Sequence, residues 1–159
     1  MSEAAIRVAT SDDIPSMIRL AEEHRRELSS FQPVMWREAA KASEKQAGFF
    51  THQIAQENVI ALVAQSKSEL AGFAIGSLVG APPVYSPGGL TLLIDDFAIA
   101  GGERWDGLGK RLVQELTLRA KAAGAVQAVV ICPHLLSDKR EFLGMEGFEI
   151  ASEWWVRSL

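Results

Sequence analysis

Three groups of residues in this chain have types and spacings suited to chemistry. The first is the run Arg104-Trp105-Asp106-Gly107-Leu108-Gly109, an Arg-x-x-Gly-x-Gly pattern. A strand-like apolar stretch over 90–100 precedes it, and Leu108, Leu112, Leu116 and Ala120 recur at four-residue spacing after it, the mark of a helix with one buried face. Glycines without a Cβ let a ligand approach the backbone, and the first N–H groups of a helix, with its dipole, attract an anion. A diphosphate fits such a loop. Trp105 sits at a variable position, where its ring either covers a ligand or packs on the helix; Lys110 and Arg111 stand where they meet phosphate charge or face water. Without a ligand the same run is a strand-to-helix turn that uses glycine for its geometry. Arg104 and the two flanks favour the ligand, and neither the Gly-x-x-x-x-Gly-Lys-Ser/Thr nor the Gly-x-Gly-x-x-Gly pattern occurs.

The second group is Asp95-Asp96, inside the apolar stretch. Side chains alternate along a strand, so Asp95 shares a face with Phe97 and Ile99, and Asp96 shares the other with Ile94 and Ala98. Two carboxylates in such a strand are expensive to bury alone, so at least one lines a polar cleft or pairs with a cation. Amine binding and water-mediated base catalysis are the functional readings; a structural salt bridge is the plain one. The third is His134, just after Cys132-Pro133, with an ordinary pKa suited to a base and an equally ordinary reading as an exposed loop histidine. His24 and His52 lack metal-ligand spacing and read as surface residues. Cys132 reads as a small structural thiol, and Tyr85 as a substrate-side or surface residue.

These residues need elements to position them. The pattern predicts a strand over 6–9, a helix over 13–28 started by Thr10-Ser11-Asp12-Asp13 and Pro15, and a second helix over 36–56 weakened by Gly48. A hairpin over 59–65 and 70–79 follows, then an irregular Pro- and Gly-rich loop over 80–89 and the strand, glycine loop and helix already described. A strand over 125–132, a helix over 137–145 and a closing strand or pair over 148–157 complete the order. In that last segment Trp154 and Trp155 alternate, one entering the core and the other facing solvent or a partner; a homodimer interface and an edge strand packed on its own chain both fit. Grouped early strands with one later crossover imply a mixed sheet with helices on both faces.

At 159 residues the chain has room for one core without metal or disulfide help. A net charge of -4 with both signs interspersed argues against a nucleic-acid partner and permits a cationic amine. No apolar run reaches the roughly 20 residues that span a membrane. A single cysteine and a start, Met1-Ser2-Glu3-Ala4, without basic or long apolar character lead us to expect a reduced, cytoplasmic setting.

The segment 92–112 resembles the acetyl-CoA-binding motif of the GNAT superfamily of N-acyltransferases, a Gln/Arg-x-x-Gly-x-Gly/Ala loop after a strand whose Val or Ile lies five residues before the Arg or Gln. Ile99 and Arg104 have that separation. Thr-x-x-Asp-Ile-Pro at the first helix and Gly147-Phe148 after the last are similar to the family's ends. The resemblance implies a single domain over 1–159 with an α/β, three-layer α/β/α fold and a central mixed, mostly antiparallel sheet. It also implies acetyl-CoA as acyl donor and direct transfer of the acetyl group to a primary amine, without a metal. By correspondence the cofactor meets Arg104, Trp105, Asp106, Gly107, Leu108, Gly109 and Lys110, and a backbone N–H among Phe97, Ala98 and Ile99 binds the thioester carbonyl. Asp95, Asp96 and His134 are then the candidates for catalysis. The implied partner is a small-molecule amine or a protein amino group. One departure stands out: the family's proton-donating tyrosine, five residues before Phe148, is Leu143 here. That leaves a non-catalytic acyl-CoA sensor as the second reading, and a purely structural turn as the third.

Overall fold

The computed structural model describes residues 4–159. In chain order it forms β1 (Ala5–Val8), α1 (Ile14–Phe31), α2 (Ala42–Ile54), β2 (Val59–Ser66), β3 (Glu69–Val79), β4 (Leu90–Ile99), α3 (Lys110–Ala122), β5 (Ala125–Val130) and α4 (Ser137–Met145). The start of α1 shows how local chemistry fixes these bounds. Asp13 accepts the Thr10 N–H at 2.8 Å, and Pro15, which has no N–H to lose, stands in the first turn. Arg7 of β1 reaches both Asp13 oxygens at 2.7 and 2.8 Å and Gln65 of β2, so one buried carboxylate ties two strands to the first helix.

The strands lie in the order β1-β2-β3-β4-β5; the first four pair antiparallel, and β5 runs parallel to β4. Period-two alternation splits the sheet's side chains between two cores. Ala61, Val63, Phe73 and Ile75 pack with Met17, Leu20 and Phe50 under α1 and α2. Leu62, Ala64, Leu92 and Ile94 pack with Leu112, Leu116 and Phe142 under α3 and α4. Each fully buried leucine in these stripes contributes about 1.5–3 kcal/mol. The result is the expected three-layer mixed sheet, and among the described residues no helix is long and apolar enough to cross a membrane.

Four expectations need correction. The second helix begins at Ala42 rather than near Trp36, because Trp36 is tied back to Gln32 and Ser29 at the end of α1, and Lys41 turns left-handed at φ 56° before the helix starts. β5 ends at Val130, just before Cys132-Pro133, whose proline carries no N–H for a ladder. Alternation fails at Asp95-Asp96: Ala74 pairs Phe97 and Gly76 pairs Ile94, so two acidic residues oppose the single Ile75 in a β-bulge. Ile94 and Phe97 thereby face the same core, and Ala98 the other. The closing strand is absent. Residues 148–159 lie against no strand edge, and without a partner edge an extended segment has no ladder; Trp154 and Trp155 are both exposed, at 79% and 89%.

The Asp13 tie is testable. Asp13→Ala removes a cap and leaves Arg7 short of its acceptor, and chemical denaturation is expected to show a loss of about 1–2 kcal/mol; unchanged stability would remove Asp13 from this role.

Candidate active site

β4 and β5 stay together only as far as Ile94 opposite Val130, where the Ile131 N–H donates to the Ile94 carbonyl at 2.9 Å. Beyond that rung the strands part, and the β5-facing edge of β4 over 95–99 has no strand partner among the described residues. Lys139 of α4 fills the wedge. Its side chain is fully buried, and Nζ donates to the Phe97 carbonyl at 3.4 Å and the Ile131 carbonyl at 3.5 Å, one from each side of the gap. The ammonium also lies 4.8 Å from the Phe97 ring centroid and 4.9 Å from that of Trp105, within range of cation–π attraction. Burial pushes this amine down to about 8, against the opposing pull of the Cys132 thiolate form, Asp95, Asp96 and Glu27.

Residues of the glycine loop form one wall. Trp105 turns inward and packs edge-on against Phe97 at 4.9 Å and stacks on Phe142 at 6.2 Å, so its ring backs the wedge. That packing explains Gly109, where a Cβ would come within 2.8 Å of the Trp105 ring. At Gly107 the nearest atom is the Arg104 Cβ at 3.8 Å. Of the two glycines, Gly107 is therefore the one where a side chain fits without displacing the indole, and where a ligand has access to the backbone. The loop continues through a wide π-type turn, Trp105–Gly109, into α3, with Leu108 in the core. Arg104 is exposed and grips Asp106 through two hydrogen bonds of 2.8 and 2.5 Å, which holds the Asp106 carboxyl below its usual range. Lys110 pairs with Glu146 at 2.8 Å, and Arg111 donates to the Ala4 carbonyl at 2.7 Å. Arg104 and Lys110 each rest on a surface carboxylate, and a polyanion at the loop would compete for both.

On the bulge, Asp95 is exposed and Asp96 partly buried. Burial first, and the neighbouring Asp95 second, push Asp96 up to about 6, while Lys139 and Arg25 oppose that rise. His24, expected at the surface, is largely buried; burial and the charge of Lys139 push it down to about 4, so it is neutral at pH 7. His134 is exposed, and its carbonyl accepts a hydrogen bond from Arg140 at 3.2 Å. Cys132 is partly buried, with its thiol pushed up by burial, and Tyr85 is 71% exposed in the loop before β4. Leu143 is buried in the core and offers no hydroxyl.

The structure thus groups Asp96, Phe97 and Trp105 around Lys139, a residue the sequence analysis did not single out. A signal for Lys139 was present: Leu136, Phe142 and Leu143 stand three or four residues from it and mark the inward stripe of α4, which a lysine interrupts.

The fold is shared with known proteins. Residues 18–140 match the model of the Acetyltransferase (GNAT) family. No curated protein matches the chain. A mutant protein from Bacillus halodurans has a similar structure, with a TM-score of 0.86 at 17% identity over 98% of this chain and 99% of that one. A protein from Clostridium acetobutylicum described as a predicted acetyltransferase, determined with acetyl-CoA, gives 0.77 at 16% identity over 98% and 96%. A ribosomal-protein-alanine N-acetyltransferase from Brucella melitensis gives 0.71 at 17% identity over 99% and 100%.

Burying the Lys139 ammonium has a measurable consequence. Its value of about 8 when folded lies below 10.5, so the unfolded chain binds more protons between these limits and stability rises with pH across that window. Lys139→Met is expected to flatten that rise in urea titrations run at several pH values, and to be at least as stable as the parent at pH 7. A large loss of stability at pH 7 would show instead that the ammonium holds the fold together.

Proposed function

We propose that this chain, which belongs to the GNAT acetyltransferase family, transfers an acetyl group from acetyl-CoA to a primary amine by direct attack. The observation that carries this reading is the edge of β4 that no strand pairs, which lies between an anion-seeking loop at one end and, at the other, a carboxyl that titrates at about 6. The backbone around Gly107, with Arg104 and Lys110 released from Asp106 and Glu146, receives the diphosphate. Trp105 and Leu108 brace that loop from inside, and Gly109 gives the indole its space. The thioester then lies along the edge at Phe97, Ala98 and Ile99, where an unpaired N–H polarises the carbonyl oxygen.

The amine must attack as a free base. Asp96 accepts its proton, directly or through one water, and Asp95 at the mouth of the site attracts the cationic acceptor. As the C–N bond forms and the C–S bond breaks, negative charge collects on sulfur. Lys139 is the cation nearest the wedge, and its ammonium stabilises or protonates the departing thiolate. His134, exposed beyond the end of β5, has no step in this sequence. The buried Leu143 is the observation that favours the second reading, a sensor that binds acyl-CoA without turnover.

Two variants separate these readings. Calorimetric titration is expected to show acetyl-CoA binding that Gly107→Leu weakens at least about tenfold, because the new side chain fits the fold but blocks a ligand's approach to the backbone. Thiol release across a panel of amines should rise with pH through about 6 as Asp96 ionises, and Asp96→Asn should keep the affinity and lose about a hundredfold in turnover. Tight binding without release from any amine would favour the sensor; unchanged binding in Gly107→Leu would remove the cofactor from this loop.

A further inference from the structure

A cavity of about 390 Å³ lies between α1, the 32–41 loop and α2, with Trp36 and Phe49 among its apolar walls. Three cations, Arg25, Arg37 and Lys45, and one carboxylate, Glu38, also line it, so its charge favours an anion. Arg25 is the unusual member. Its Nη2 donates to the Ser43 hydroxyl at 3.1 Å, but Nε and Nη1 are buried without an acceptor, and Glu38 stands 3.8 Å from Nε, beyond hydrogen bonding. Ser43 in turn donates to Glu22. The side-chain oxygen of Gln46, which also lines the cavity, is buried without a donor.

Buried N–H groups without partners are costly, and in a native protein they call for an explanation. A carboxylate is the acceptor that suits a guanidinium, while the Gln46 oxygen wants an N–H. One small molecule meets both demands if it carries a carboxylate and an amine on adjoining atoms. Arg25 also exerts its charge on Asp96, and α1, which carries Arg25, packs against β4, which carries Asp96.

We propose that this cavity binds the acceptor and selects an apolar or aromatic amino acid, with its carboxylate on Arg25, its side chain against Trp36 and Phe49, and its amine directed toward Asp96. The proposal rests on the acetyl-transfer reading and narrows it to one acceptor class. Glu38, half-exposed and outside hydrogen-bonding distance, is the anion that the carboxylate replaces.

The test compares phenylalanine with phenethylamine, which has the same ring and amine but no carboxylate. Thiol release from acetyl-CoA is measured with each, in the parent, Arg25→Gln and Arg25→Lys, and acetyl-CoA affinity is measured by calorimetry in all three to report the intact fold. In the parent, kcat/KM for phenylalanine should exceed that for phenethylamine by about tenfold or more. The ratio should fall toward one in Arg25→Gln and keep part of its value in Arg25→Lys. Equal or better use of phenethylamine by the parent, or a ratio that Arg25→Gln leaves unchanged, would overturn the proposal. So would turnover of other amines with none of phenylalanine. These failures differ from that of the wider reading, in which acetyl-CoA does not bind or no amine releases thiol, and which would take the proposal with it.

Discussion

A peptide edge inside a folded chain must be paired with something, and β4 beyond Ile94 has lost its strand. The rest of the site follows from that constraint. Cys132-Pro133 turns the chain after β5 away, and the gap so made is wide enough to admit a lysine side chain from α4. Lys139 donates across the gap to the carbonyls of Phe97 and Ile131 and rests on two aromatic faces. Such contacts moderate the cost of burying an ammonium without removing it, as the downward shift of its pKa records. A chain that keeps this cation where an apolar side chain would pack better gives up stability at a place where charge has a use.

The bulge opposite Ile75 is the second device. It puts Asp95 and Asp96 side by side where a regular strand would send them to opposite faces, and their proximity is one reason that Asp96 is hard to ionise. Burial acts on Asp96 and Lys139 in opposite senses, bringing a carboxylic acid up and an amine down toward neutrality. Two groups that can exchange protons near pH 7 thus stand beside the same parted strands. His24 feels the same surroundings and is kept neutral by them, so it adds no charge next to Lys139.

Much of the frame was legible in the sequence. Periodicity gave the order of elements, and the Arg-x-x-Gly-x-Gly run placed the loop between its strand and its helix. What escaped was set by tertiary contacts. Alternation was a sound guide along β4 until the bulge, which depends on the register of β3 and leaves no mark in the local pattern. Trp105 had two readings because its direction is decided by Phe97 and Phe142, distant in sequence. Gly107 and Gly109 look equivalent as letters, yet a side chain would fit at the first and would strike an indole ring at the second. The apolar pattern of 148–157 promised a strand, but a strand needs a neighbour as well as a pattern. Arg25 gave no sign at all, since its unmet N–H groups exist only once α2 and the 32–41 loop close around it.

The central claim is that the gap between β4 and β5 is where the acyl donor lies. A crystal structure with a thioether analogue of acetyl-CoA, which cannot transfer its acyl group, tests it most directly. The analogue's pantetheine is expected to run along the edge at Phe97, Ala98 and Ile99, with its carbonyl accepting a backbone N–H there and Lys139 leaving at least one of its two carbonyls to face the sulfur. An analogue bound elsewhere, with Lys139 still bridging Phe97 and Ile131, would contradict it.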